Sequence, residues 1–406
     1  MRDDVPTRTL ARIEEPKDTA GRHCRPPQAP GERIGGAQPA LPGPARHLME
    51  PVHRTAPAGV LPPTALIDRH GRTAKDLRLS VTDRCNLRCT YCMPAQGLDW
   101  LASPKLLSVE EIVRLARIGV EQLGIERIRL TGGEPLLRRD LEDIITGIAA
   151  LRTRATGAKP DIGVTTNGLG LDKRAAALRG AGLDRVNVSV DSLDRATYAR
   201  ITRRDRLHDV LAGARAAQEA GLSPIKVNAV ALPENLGEQA PALLTECLRR
   251  GWQLRFIEHM PLGPDRAWRA DDVVSAAEIL RILRGAGFAL SAVGRPDRRP
   301  ATLWRVAAGQ KHPGGSVGII ASVSAPFCAD CDRSRITADG RLMTCLFSST
   351  ETDLRTPLRA GATDEEIAAI WARATWNKPR AHGTDNTAAR DTGFARPGRT
   401  MSAIGG

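Results

Sequence analysis

The chain has 406 residues, 41% of them hydrophobic, enough for one large barrel domain or two ordinary ones; a wholly disordered or collagen-like chain is excluded. No run approaches the roughly 18 apolar residues of a membrane-spanning helix, and the N-terminus is broken by Pro and charge where a signal peptide is apolar. A cytoplasmic protein with no membrane partner is therefore expected. Against 46 Asp plus Glu stand 59 Lys plus Arg, a net +13 that invites a nucleic acid or a phosphorylated ligand. An aromatic content of 3% argues against stacking of single-stranded bases, and because only eight of the cations are Lys, part of the excess fits Arg-rich codon usage.

Residues 1–63 hold 12 of the 28 Pro, contain no aromatic residue and lack apolar periodicity, so a disordered extension is predicted. A transit peptide is the alternative, although Asp3, Asp4, Glu14, Glu15 and Asp18 are foreign to one. Beyond it, strand-like runs alternate with helical patterns. Strands are predicted at Leu77–Val81, Arg127–Thr131, Asp161–Thr165, Arg185–Val190, Ile225–Ala231 and Gln253–Ile257. Helices are predicted at Val109–Leu123, where Ser108 and Glu111 form a capping box, then at Leu141–Leu151, Lys173–Gly180, Ala196–Ala220 and Ala240–Arg249. Six βα units imply an α/β protein with a partial (βα)6 TIM-like barrel over 64–262. After Leu262 the alternation fails, and a helix near Ala276–Arg284 and irregular runs suggest a C-terminal domain over 263–406.

Eight Cys are too few for a disulfide scaffold, and six of them fall in two tight groups, which points to metal or cluster ligands. Just after the first strand stand Cys85, Cys89 and Cys92, a C-x3-C-x2-C loop. Three thiolates can hold three irons of a cubane and leave the fourth open; a structural zinc would want a fourth ligand, and none is near. The second strand runs into Thr131-Gly132-Gly133-Glu134-Pro135, where a ligand can approach bare backbone. The third ends at Thr165-Thr166-Asn167-Gly168 and the fourth at Ser189-Val190-Asp191-Ser192. Lys226 and Asn228 share a face of the fifth, and the sixth leads to Glu258 and Met260. Each could be a mere turn or cap, but six together mark the strand-end rim where βα barrels bind ligands. His259 is expected to pack or to sit on the rim, since alternation turns it from its neighbours.

The second group is Cys328, Cys331 and Cys345, with Arg333-Ser334-Arg335 directly after it. A zinc site completed by His312 or Cys247 is one reading; a cluster beside forked cationic donors, suited to a phosphate or a base edge, is the other. The chain ends Met401-Ser402-Ala403-Ile404-Gly405-Gly406, which could be a frayed tail.

The Cys loop with Tyr91 before its last Cys, followed by Gly-Gly-Glu-Pro, resembles the radical S-adenosylmethionine (SAM) superfamily. Both Cys groups together, over roughly Asp76 to Gly406, narrow the resemblance to the GTP 3',8-cyclase family of molybdenum cofactor biosynthesis. The resemblance implies two 4Fe-4S clusters with SAM. The first cluster, on Cys85, Cys89 and Cys92, would generate a 5'-deoxyadenosyl radical; the second, on Cys328, Cys331 and Cys345, would bind the guanine of GTP. It further implies SAM contacts at Tyr91, Gly133, Ser189 and Met260, and GTP contacts at Arg78, Arg129, Thr165, Lys226, Arg333, Ser334 and Arg335. Gly405 and Gly406 would reach the active site. Expected partners are a flavodoxin- or ferredoxin-type reductant, pyranopterin monophosphate synthase downstream and a second copy in a homodimer, with no nucleic acid. Rival readings are a peptide-modifying radical SAM enzyme and a zinc-dependent nucleic-acid-binding protein.

Overall fold

A computed structural model describes residues 65–263, 268, 273–295, 299–382 and 399–405; the predicted extension 1–63 and Gly406 lie outside them. Six parallel strands follow one another in space as in sequence: β1 (Asp76–Ser80), β2 (Arg127–Thr131), β3 (Asp161–Thr166), β4 (Arg185–Ser189), β5 (Lys226–Ala231) and β6 (Gln253–Glu258). Period-two alternation decides which way each side chain faces. Leu77 and Leu79 of β1, Ile128 and Leu130 of β2, Ile162 and Val164 of β3 and Val186 and Val188 of β4 are fully buried beneath the helices. Each contributes about 1.5–3 kcal/mol by leaving water. The intervening residues, among them Arg78, Arg129, Thr165, Asn187 and Ser189, face a central cavity. The sheet is thus apolar outside and polar within.

The crossover helices are α1 (Val109–Arg117, continued by a π turn at Ile118–Gln122), α2 (Leu141–Ala149), α3 (Leu171–Gly180), α4 (Arg195–Thr202), α5 (Leu207–Glu219) and α6 (Gln239–Arg249). The capping box of α1 forms as expected: Glu111 N donates to Ser108 Oγ at 3.2 Å, and Ser108 N donates to Glu111 Oε2 at 2.8 Å. The single helix expected over Ala196–Ala220 is two helices. Arg203, at φ 56°, stops α4 in the left-handed region, which a residue bearing a Cβ adopts only at a cost. The polar run Thr202–Arg206, between Ile201 and Leu207, coincides with that break.

Past β6 the chain forms α7 (Ala276–Gly285), β7 (Leu290–Gly294), β8 (Thr302–Val306), β9 (Gly315–Ile320), β10 (Arg333–Ile336), β11 (Arg341–Met343), β12 (Thr352–Asp353), α8 (Arg355–Arg359), α9 (Asp364–Trp376) and α10 (Met401–Ile404). These strands extend the barrel sheet at both edges. β9 adds parallel to β6, and β10 adds parallel to β1, giving the order β12-β11-β10-β1-β2-β3-β4-β5-β6-β9-β8-β7. The segment carrying the second Cys group is therefore hydrogen-bonded beside the strand that launches the first. Among the described residues no helix is long and apolar enough to cross a membrane.

Candidate active site

Both Cys triads open into one cavity of about 330 Å³ enclosed by the strands. Cys85, Cys89 and Cys92 enter from the loop after β1, and Cys328, Cys331 and Cys345 from the segments flanking β10 and β11. Between them lie Tyr91, Gly133, Ser189, Met260, Arg78, Arg129, Thr165, Lys226, Arg333 and Arg335. Ser334 is the exception: strand alternation turns it from its two Arg neighbours, and its buried Oγ has no hydrogen-bond partner. Gly405 is not on the cavity wall either, but its carbonyl accepts Arg335 Nη1 at 2.6 Å. A Cβ there would lie 2.5 Å from Thr131 Oγ1, and its φ of +79° suits glycine, so the tail fits where a side chain would not.

Gly-Gly-Glu-Pro, whose two glycines line the cavity, is also bound to the cysteine loop. Gly133 N donates to Thr82 O at 2.9 Å and Glu134 N to Arg84 O at 2.7 Å, locking this loop to the chain leading into Cys85. A Cβ on Gly133 would stand 2.3 Å from Arg84 O and 2.4 Å from Asp83 O. The glycine admits the cysteine loop itself. Glu134 then accepts Leu136 N, Asn167 N and Thr166 Oγ1, joining the ends of β2 and β3; burial pushes its carboxyl up to about 7. Tyr91 donates to Asp191 Oδ2 at 2.9 Å, and burial raises Asp191 to about 6. His259 follows the end of β6, so strand alternation no longer governs it; it lines the rim with its ring 6.4 Å from that of Tyr91. Glu258, by contrast, is fully buried and accepts Ala276 N, Val323 N and Ser324 N, tying β6 to α7 and to the approach to Cys328.

The cations show the strongest pattern. Arg335, Arg78 and Arg129 are direct register partners on the adjacent strands β10, β1 and β2. Gly163, next in register on β3, leaves room for the Arg129 guanidinium, which a Cβ would approach to 3.3 Å. Like charges set side by side repel, and burial adds to the cost. Arg78 is accordingly held well below its ordinary pKa by burial and by Arg335, Arg333 and Arg129. Buried Arg78 Nε and Arg129 Nη1 have no hydrogen-bond partner. Burial, then Arg255 and Arg185, push Lys226 down to about 6. Deeper in the barrel the pattern reverses: Arg127 pairs with Asp332 and Asp76, and Arg185 with Asp161. Arg127 and Arg185 thus hold carboxylates in direct ion pairs, whereas Arg78, Arg129 and Lys226 make no ion pair among the described residues, Asp76 acting on the first two only at longer range, and they line the cavity where an anion can complete them. Arg185 and Arg255 were not singled out in the sequence, although cations alternating with apolar residues inside a buried strand are a readable signal.

The Cys chemistry suits clusters. Burial raises Cys89 well above its ordinary value and Cys92 to about 12, so these thiols keep their protons until a metal displaces them. Against the upward push of burial, Lys378 and Arg333 bring Cys331 down to about 6. The zinc alternative fails on its fourth ligand: Cys247 is buried in the helix layer, and His312 stacks on Phe288, neither lining the cavity. Among the described residues no three Cys, His, Asp or Glu side chains converge as a single ion needs.

A parallel βα barrel with a cysteine triad after its first strand defines the radical SAM class. Residues 79–244 match the family model of the Radical SAM superfamily, and residues 252–384 that of Molybdenum Cofactor Synthesis C. A GTP 3',8-cyclase of Corynebacterium glutamicum is 53% identical over 377 residues, 90% of this chain and 98% of that protein. One from Mycolicibacterium smegmatis is 54% identical over 353 residues, 86% of this chain and 95% of its own. The chain belongs to the GTP 3',8-cyclase family. Among solved structures, Streptococcus suis SuiB bound to S-adenosylmethionine superposes with a TM-score of 0.54 over 83% of this chain and 71% of SuiB. At 14% identity that likeness fixes the fold alone.

Proposed function

We propose that this cavity holds GTP between two 4Fe-4S clusters and converts it to 3',8-cyclo-7,8-dihydro-GTP, an early step toward molybdenum cofactor. One observation carries the substrate assignment: Arg335, Arg78 and Arg129 side by side on three strands, with buried donors left open, in the space both triads share. A triphosphate supplies the missing negative charge.

Cys85, Cys89 and Cys92 would hold the cluster that binds SAM, and Cys328, Cys331 and Cys345 would hold a second cluster for the guanine of GTP. When bound, the first cluster and SAM supply one-electron reduction and a carbon radical able to remove a hydrogen atom from ribose C3'. The chain's residues do the rest. Arg78, Arg129, Lys226 and Arg335 fix the phosphates, with Arg333 and Thr165 completing the GTP contacts. Tyr91, Gly133, Ser189 and Met260 line the SAM side. Holding one molecule at both ends keeps C3' and C8 within reach of each other, which turns ring closure into an oriented intramolecular step. The tail reinforces this: Gly405 reaches Arg335, and Met401 and Ser402 line the cavity that the first triad shares, so one short segment touches both halves of it. Ser334 contributes backbone, and Gly406 continues the tail beyond the described residues.

The proposed division is an extension over 1–63, the SAM barrel over 64–262 and a second-cluster region over 263–406. The reaction calls for a protein reductant of flavodoxin or ferredoxin type, and its product passes to pyranopterin monophosphate synthase; the proposed setting is the cytoplasm, with the chain as a homodimer. The test is anaerobic incubation of the reconstituted chain with dithionite, SAM and GTP. An oxidisable pterin precursor is expected from GTP; 5'-deoxyadenosine appearing only with a peptide defeats the reading.

A further inference from the structure

Lys378 follows α9 and is 3% exposed, yet it carries an ammonium. Its Nζ donates to Cys331 O at 3.0 Å, Arg333 O at 2.8 Å and Cys331 Sγ at 3.4 Å, using all three hydrogens on the segment that opens β10. Its backbone is fixed as well: Lys378 N donates to Thr375 O at 2.9 Å, and α9 is anchored by its own capping box and by Arg114 and Arg117 on Asp364. Arg72 makes an instructive contrast. It binds Cys328 O at 2.7 Å and Pro379 O at 2.6 Å, but its charge is already balanced by Asp68 at 2.6 Å. None of the three acceptors of Lys378 is a carboxylate. A buried ammonium is costly unless an anion faces it, and the group in reach that can be one is the Cys331 sulfur.

We propose that Lys378 is a positioning residue for the second cluster: it pins the Cys331 segment and sets a fixed positive charge against that ligand's sulfur. The proposal rests on the reading that Cys328, Cys331 and Cys345 hold a cluster. A hydrogen-bonded positive charge at a ligand sulfur favours the reduced cluster, so removing it lowers the reduction potential.

The test uses the anaerobically reconstituted holoenzyme and redox titration of both clusters by electron paramagnetic resonance. In Lys378→Gln the second cluster is expected to become harder to reduce, its oxidised-to-reduced ratio rising at least tenfold at fixed potential, about 59 mV for a one-electron couple. The first cluster should titrate as in the wild type, and Lys378→Arg should keep the second near its original potential. Selective loss of the second cluster in Lys378→Gln alone also meets the proposal. Wild-type titration of Lys378→Gln, or an equal shift in both variants, overturns it. Wild-type chain labelled with 15N-lysine adds a readout needing no variant: pulsed resonance should find a 15N coupling at the reduced second cluster, absent in Lys378→Arg. No coupling in the wild type overturns the proposal. A wild-type chain with one cluster defeats the underlying reading of the triad instead, and iron content separates that case.

Discussion

Gly133→Ala isolates the contact between the glycine loop and the cysteine loop. A Cβ would stand 2.3 Å from Arg84 O, 2.4 Å from Asp83 O and 2.6 Å from Arg84 C, all of them backbone that cannot rotate away. Against an ordinary contact near 3.4 Å, the two loops must part by about 1 Å. Forced overpacking of this kind costs about 1–3 kcal/mol. The separation also strains the bonds of Gly133 N to Thr82 O and Glu134 N to Arg84 O, each worth about 1 kcal/mol. The first-cluster loop is the part that yields. Reconstituted Gly133→Ala should therefore hold about half the wild-type iron, keep the second cluster's signal and form 5'-deoxyadenosine at least tenfold more slowly. Its melting temperature should fall by about 2–4 °C per kcal/mol lost. Gly180→Ala is the control, because a Cβ there meets nothing within 4 Å and the site is helical; iron and rate should be unchanged. Full iron and a wild-type rate in Gly133→Ala would refute the packing argument.

Lys226 gives a pH signature. With its ammonium pushed down to about 6 in the empty cavity and restored by phosphate, GTP binding takes up a proton above that pH, so affinity falls as pH rises. Calorimetry from pH 7.5 to 9, where the phosphates are already ionised, should show weakening by up to about tenfold per pH unit, and Lys226→Met should flatten the profile. Cys328→Ser should lose the second cluster, near four of eight irons, while still cleaving SAM slowly and forming no cyclised product; unchanged turnover counts against the assigned role. Arg399 pairs with both Asp339 and Glu351 at the start of the tail. Arg399→Ala should release the tail, cut product formation at least tenfold and leave iron content intact, as chromatography and iron assay will tell.

The six parallel strands were legible because each carries buried apolar residues in strict alternation and is followed by a capped or amphipathic helix. Both triads were legible as compact spacings. Three things were not. Strands β10 to β12 are short, β11 having three residues, and the pairings that join β9 to β6 and β10 to β1 lie far apart in the chain, so local pattern does not show that these strands extend the barrel sheet. The break at Arg203 is a left-handed backbone conformation that the polar run Thr202–Arg206 fits but does not dictate, since a solvent-facing stretch of helix is polar too. Lys378 joins the second triad only through the tertiary fold, which brings the residue after α9 against Cys331, 47 residues away in sequence. Ser334 shows the converse: a contiguous Arg-Ser-Arg run reads as one patch, but a strand splits it between two faces.

For the proposed reaction GTP must sit where the SAM-derived radical reaches its ribose C3'. The most direct measurement is mass spectrometry of 5'-deoxyadenosine formed from GTP deuterated at C3', with dithionite as electron source. One deuterium per 5'-deoxyadenosine is expected, in step with cyclised product. Unlabelled 5'-deoxyadenosine accompanying full product formation would contradict it.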